Sequence, residues 1–110
     1  MMQQDLTQLI ERVPEFEKRL NVVLDNLFAA VESSVEGIAV RGELRPSSGN
    51  TLDQDLSLTV TVFDANRRII KTNSTYFDKD KFFGFETFDI DVYKINPEDI
   101  NKLRVHIAPA

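Results

Sequence analysis

Apolar residues recur at intervals of three and four along the first third of the chain. The repeat averages about 3.5 residues, the period of a coiled-coil seam, and covers roughly three and a half heptads. A seam sustained at this period predicts a partner helix, because an isolated helix drifts away from a strict seven-residue repeat. The predicted seam consists of Leu6, Leu9, Val13, Phe16, Leu20, Val23, Leu27 and Ala30.

The apolar stripe widens after Leu20. Leu24, Phe28 and Val31 fall beside the seam, as Ile10 does earlier, and a wide stripe is typical of a helix that packs on a globular core. We therefore expect the first half of the segment to contact a partner helix. The second half would lie between that partner and the rest of its own domain.

Pro14 divides the predicted helix. Inside a helix, proline costs roughly 3 kcal/mol, whereas at the first helical position it costs little, and the two acidic residues that follow it suit a helix start. Two arrangements remain open: a short helix near 3–12 with a second near 14–35 and a break at 13–14, or one kinked helix. Gly37 is the expected stop.

After Gly37 the apolar positions alternate with polar ones, which predicts strands. Gly42 is a possible bulge in the first of them, and Asn96 is expected to cap a helical turn. Hairpin links without intervening helices favour an antiparallel arrangement over parallel βαβ units. The predicted strands lie near 38–44, 56–63, 69–76, 88–93 and 103–107.

These patterns together predict an α+β protein. Residues 1–36 are expected to form the N-terminal helical segment, long or broken, and residues 37–110 an antiparallel immunoglobulin-like β-sandwich. The run from Leu58 to Tyr76, LTVTVFDANRRIIKTNSTY, resembles the central hairpin of FxLYD-type domains, which are small bacterial immunoglobulin-like β-sandwiches. An arginine, Arg67 or Arg68, stands where that family has a turn glycine. The resemblance implies a sandwich and no catalytic residues.

Composition narrows the possible functions. A chain of 110 residues is one domain. Its net charge is −5, with seven acids against three bases in residues 1–36 and eleven against ten in residues 37–110. This is not the basic footprint of a nucleic-acid-binding protein. The chain has no cysteine, which excludes disulfides, thiol chemistry and cysteine-ligated zinc.

Targeting signals are not apparent in the sequence. The N-terminus lacks a basic region followed by an apolar run, so it does not resemble a signal peptide. No apolar run approaches the ~20 residues of a membrane span. We therefore predict a cytoplasmic protein that does not bind membranes.

Few residues are candidates for chemistry. The only histidine, His106, lies between two apolar residues, so alternation places it on the solvent face of its strand. Four aspartates, Asp78, Asp80, Asp89 and Asp91, could contribute oxygen ligands to a cation. Their spacing matches no defined calcium loop, and a solvated loop and strand face is the simpler interpretation.

Four of the eight phenylalanines fall within residues 81–88. Strict alternation cannot bury all four on one face of a strand. Either Gly84 marks a bulge that turns more of them inward, or Phe83 and Phe85 stay exposed and contact a partner or a second subunit.

The sequence therefore predicts a non-enzymatic interaction or structural module without a cofactor. It is expected to form a homodimer through its N-terminal helix and to present loops or a sheet edge to another protein. The main alternative is a calcium- or small-ligand-binding β-sandwich that uses the four aspartates. A hydrolase using the paired aspartates of the strand is a third hypothesis.

Overall fold

The chain is mostly extended, with 53% of it in strands and a single short α-helix within residues 4–110, which the computed structural model describes. Short 3-10 turns connect several of the elements. The elements are, in order, β1 (Ile10–Arg12), α1 (Pro14–Arg19), β2 (Val22–Glu32), β3 (Gly37–Pro46), β4 (Leu56–Phe63), β5 (Ile69–Phe77), β6 (Glu86–Val92) and β7 (Lys102–Pro109).

The strands form two sheets that enclose a common hydrophobic core, an arrangement consistent with a β-sandwich. One sheet has the order β1-β7-β4-β5 and the other β2-β3-β6. β1 runs parallel to β7, and all other pairs are antiparallel. The five strands predicted after Gly37 are confirmed as β3 to β7, and the predicted turn after Asn96 is present at Pro97–Asp99.

The connectivity corrects the predicted immunoglobulin-like topology. In a constant-type immunoglobulin domain the second and third strands lie in opposite sheets. Here β2 and β3 form a hairpin within one sheet, and β4 and β5 form a hairpin within the other. The chain crosses between the sheets after β1, β3, β5 and β6, which is not the order of crossings in the immunoglobulin arrangement.

The predicted long N-terminal helix is wrong, because β2 occupies most of its second half. An extra residue between Asp25 and Phe28 shifts the register of β2 against β3. This bulge separates the core-facing Leu24 and Leu27 by three positions instead of two, and Val31 follows four positions later. Intervals of three and four are also the signature of a helix, so a bulged strand reproduces the pattern.

The bulge is stabilised on both strands of the hairpin. Asn26 has the positive φ of 53° that such a position needs, and its side chain donates a hydrogen bond to Glu43 Oε1 at 2.7 Å. Opposite the bulge, a Cβ on Gly42 would lie 2.9 Å from side-chain atoms of both Leu27 and Phe88. The bulge that was expected at Gly42 in β3 lies instead in the neighbouring strand, β2. Gly42 leaves room for that bulge.

Pro14 begins a helix, as predicted for the second of two segments, but α1 ends at Arg19. The first predicted segment, near 3–12, contains a 3-10 turn at Thr7–Leu9 and then β1. Its residue Gln3, like Met1 and Met2, lies outside the described residues.

The N-terminal residues belong to the same core as the strands. Leu6, Leu20 and Leu24 are buried together with apolar side chains of both sheets. On the outer face, Glu11 of β1 accepts a hydrogen bond from Arg104 Nε of β7 at 2.7 Å. These contacts hold residues 4–20 against both sheets.

The outer edge of β2 is covered by the N-terminal segment. Gln4 and Leu6 exchange backbone hydrogen bonds with this edge of 3.0 Å and 2.7 Å. The Thr7 hydroxyl accepts the Ala29 N–H at 3.1 Å, and Glu17 Oε1 accepts the Leu24 N–H at 3.1 Å. Residues 4–24, which include β1 and α1, form one side of the molecule together with the outer edge of β2. We call this side the closed flank.

Glu17 is the one charged side chain that is buried among residues 4–110, with 7% of its surface exposed. Its carboxylate accepts hydrogen bonds from the guanidinium of Arg12, at 2.5 Å and 3.3 Å, in addition to the Leu24 N–H. A buried carboxylate is tolerated when it is paired and hydrogen-bonded in this way. Glu17 therefore joins α1 to β1 and β2.

Candidate interaction surface

The side opposite the closed flank is formed by residues 69–93, which comprise β5, β6 and the loop between them. β5 and β6 are the outermost strands of their sheets and lie next to each other. Seven large hydrophobic side chains are exposed in residues 4–110, and five of them belong to this segment. They are Ile69, Tyr76, Phe83, Phe85 and Tyr93. We call this side the open flank.

The loop 78–85 presents two phenylalanines on an ordered support. Its start is a tight turn in which Asp78 Oδ1 accepts the Asp80 N–H at 2.9 Å. Phe82 anchors the loop in the core, and the next two residues turn the chain away from it. Gly84 has a φ of 82°, which glycine adopts without strain, and its N–H donates to Asn50 O at 2.7 Å.

Phe83 and Phe85, on either side of this glycine, are 77% and 59% exposed. Of the two outcomes predicted for the phenylalanine cluster, the structure therefore places Phe82 and Phe88 in the core and Phe83 and Phe85 at the surface. Gly84 lies in a loop and not in a bulge of β6.

Within residues 4–110, no strand pairs with the outer side of β5. The Ser74 N–H points outwards, because it is bonded to the side chain of Asn73 and not to β4. Since backbone groups alternate in an antiparallel pair, those of Thr72 and Tyr76 point the same way. Asn73 also donates to Asp91 O on the edge of β6 at 2.6 Å. One side-chain amide thus connects the two outer edges.

Tyr76 lies at the end of β5, beside the loop. Its hydroxyl and the Asp55 carboxylate interact, which raises the pKa of Tyr76. The backbone N–H of Lys79 and then Tyr76 lower the pKa of Asp55. Asp55 therefore remains ionised at neutral pH and fixes the start of the loop through its 3.0 Å bond from Lys79 N.

The four candidate metal ligands are not brought together. Among residues 4–110, no three acidic or histidine side chains are placed to hold one metal ion. Asp89 forms an ion pair with Arg41 Nε at 3.1 Å on the exposed sheet face. Asp78 and Asp80 belong to the loop turn. Burial, followed by the neighbouring carboxylate of Asp89, raises the pKa of Asp91.

His106 lies on the outer face of β7, as alternation predicted, but α1 partly covers it. The ring of Phe16 packs against the imidazole edge-on, with the centroids 6.1 Å apart. The buried Nδ1 of His106 has no hydrogen-bond partner among residues 4–110. Burial, and then the positive charge of Arg104, lower the pKa of this histidine, so the neutral imidazole is favoured.

The residues predicted to form a helical seam are divided between core and surface. No continuous stripe remains for a partner helix, because three of the eight are buried and four more are partly buried. They are Leu6, Leu20 and Ala30, which are buried, Leu9, Val13, Val23 and Leu27, which are partly buried, and Phe16, which is exposed.

A small apolar groove lies between α1 and the end of β7. Its volume is about 180 Å³, below the roughly 300–1,000 Å³ of clefts that hold drug-sized ligands. Sequence reasoning missed it, because it depends on how α1 packs against a strand some ninety positions away. The lining residues are Phe16, Arg19, Leu20, Ile107, Ala108 and Pro109.

Comparison with known proteins identifies no relative of this chain. The sequence matches no family model, and no curated protein or solved structure is significantly similar to it. No helix within residues 4–110 has the length and apolar character needed to cross a membrane.

Proposed function

We propose that this protein is a non-enzymatic module that binds another protein through the open flank. The observation that carries the proposal is that five of the seven exposed large hydrophobic side chains lie within residues 69–93. Isolated surface hydrophobics need no explanation, but aromatics concentrated beside unpaired strand edges are typical of binding surfaces.

The two edges give such a surface a second means of attachment. An extended segment of a partner can add to an outer strand through main-chain hydrogen bonds, with pockets for its side chains giving specificity. Thr72 and Tyr76 present backbone groups on the outer edge of β5, and among residues 4–110 Asn73 is the one side chain that is hydrogen-bonded from this edge to β6. Charged side chains are sparse on β5, where Lys71 is the one charged residue.

The FxLYD resemblance of Leu58–Tyr76 is compatible with this proposal, since it implies no catalytic residues. The calcium-binding alternative is not favoured, because the four aspartates lie in a loop turn and on an open sheet face. Asp91 lines a cleft of about 260 Å³ beside Asn73 and Tyr93, but Asp89 does not line it, so the paired aspartates do not share one substrate cleft.

Site-specific photocrosslinking tests the proposal. A benzophenone amino acid would replace Tyr93 or Phe85 on the open flank, with Ser34, an exposed residue of the β2–β3 turn, as the matched control. In cells of the source organism we expect one discrete crosslinked product from the open-flank positions and none from Ser34. Equal labelling at all three positions, or no product at any, would overturn the proposal.

A further inference from the structure

The open flank contains an uncovered aromatic side chain, and the groove between α1 and β7 is an apolar space of about the size of one side chain. We propose that Phe83 of one copy of this chain inserts into that groove of a second copy, and that the reciprocal contact completes a two-fold dimer. This inference depends on the proposed function, because it assigns a partner to one residue of the open flank.

Both features lie at the same end of the molecule. The register aligns the start of β4 with the ends of β5 and β7, since Leu56 pairs with both Phe77 and Pro109. Phe77 leads into the loop that presents Phe83, and Pro109 lines the groove. The aromatic side chain, on the open flank, and the groove, on the closed flank, therefore lie at the same end of the molecule.

A two-fold axis can exchange the two features. Two points at one end of the molecule are interchanged by a two-fold axis that passes midway between them and is perpendicular to the line that joins them. Each Phe83 would then lie opposite the groove of the other copy. A closed, isologous contact of this kind repeats the same residue pair twice.

The chemistry of the groove suits a phenyl ring. Five of its six lining residues are apolar, and the sixth is Arg19. The apolar residues are Phe16, Leu20, Ile107, Ala108 and Pro109. A guanidinium can stack on the face of an entering aromatic ring. Phe83 is the more exposed of the two loop phenylalanines and hence the better candidate for insertion.

Local charges support a second copy as the occupant. Lys18 and Arg19 form the basic last turn of α1 at the groove. Residues 78–86 hold three acids, Asp78, Asp80 and Glu86, against the two lysines Lys79 and Lys81, a net charge of −1. At longer range, two chains of net charge −5 repel each other.

Sedimentation equilibrium of the full chain tests the inference. We expect a concentration-dependent mass that approaches twice 12.6 kDa. Phe83→Ala should weaken the dimer at least tenfold, and Ala108→Leu, which fills the groove, should do the same. Phe85→Ala is the matched control and should change the dissociation constant less than threefold. Circular dichroism and thermal melting establish that each variant is folded.

Mixing the two disrupted variants provides the decisive measurement. Phe83→Ala keeps its groove and Ala108→Leu keeps its phenylalanine, so the mixed pair restores one of the two contacts. We expect this mixture to form more dimer than either variant alone. A monomer at 500 µM, or a mixture no better than its components, would overturn the inference. If the dimer is not found but the open flank crosslinks to a different protein, the proposed function stands without the dimer. If no crosslink forms either, the proposed function and the dimer are both excluded.

Discussion

The closed and open flanks differ in how their outer strand edges are covered. Both contain the outer strands of the two sheets, whose unpaired N–H and C=O groups can pair with other chains. On the closed flank, Gln4, Leu6, Thr7 and Glu17 cover the edge of β2. On the open flank, the side-chain amide of Asn73 bridges the two edges. The difference indicates which strand edge is covered within the fold and which strand edge is available for binding.

Core truncation should give the largest contrast between the flanks. Leu6 is 2% exposed on the closed flank, whereas Tyr93 is 54% exposed on the open flank. Leu6→Ala should cost about 2–4 kcal/mol of unfolding free energy through lost burial and a residual cavity. Tyr93→Ala should change it by less than about 0.5 kcal/mol. Urea denaturation measures both, and equal costs would remove the distinction between the flanks.

The buried carboxylate should come next. Glu17→Gln removes the charge that satisfies Arg12 and weakens the acceptor of the Leu24 N–H. We expect a loss of about 1–3 kcal/mol, the range for disturbing a buried, hydrogen-bonded group. Glu15→Gln, on the exposed side of the same helix, is the control and should be nearly neutral. If both variants melt at the same temperature, Glu17 does not hold the closed flank.

Acidification should weaken the closed flank in particular. The pKa of His106 is lowered by burial in the folded protein, so below a pH of about 6.5 the unfolded chain binds more protons than the folded one. Stability should therefore fall as the pH drops from 7 into the range below the unfolded pKa. The comparison of urea midpoints for the natural chain and His106→Gln at pH 7 and pH 5.5 isolates this contribution. An identical pH dependence in the two proteins would contradict it.

The smallest expected effect concerns the amide that joins the open edges. Asn73→Ala removes the acceptor of the Ser74 N–H and the donor to Asp91 O. Because both groups can bond to water instead, the global stability should change by less than about 1 kcal/mol. Local hydrogen exchange should respond more clearly: the Ser74 amide is expected to exchange faster, while that of Leu24 on the closed flank keeps its rate. An unchanged Ser74 rate would show that the edge is protected in another way.

Sequence reasoning succeeded where contacts follow from local alternation. The pattern of Leu56, Leu58, Val60 and Val62 identified β4, since each of these side chains is fully buried and each intervening residue is not. The start of α1 at Pro14 followed equally from local chemistry. These features depend on a few neighbouring residues.

It failed where the outcome depended on distant partners. The N-terminal pattern was assigned to a helix, because the bulge in β2 appears only when β3 is paired with it. The burial of Glu17 has no local signal, since it requires Arg12 and the edge of β2 to meet it. Of the candidate surface, the sequence indicated Phe83 and Phe85, but the open edges depend on the order of strands in each sheet.

The bulge in β2 also affects how the chain can change in length. Elsewhere in this strand, the loss of one residue would turn every later side chain to the opposite face. Loss of Asn26 would instead leave Leu24 and Leu27 two positions apart and restore strict alternation through Val31. This position is therefore one point in the strand where evolution, or a designer, can delete a residue and keep the core intact.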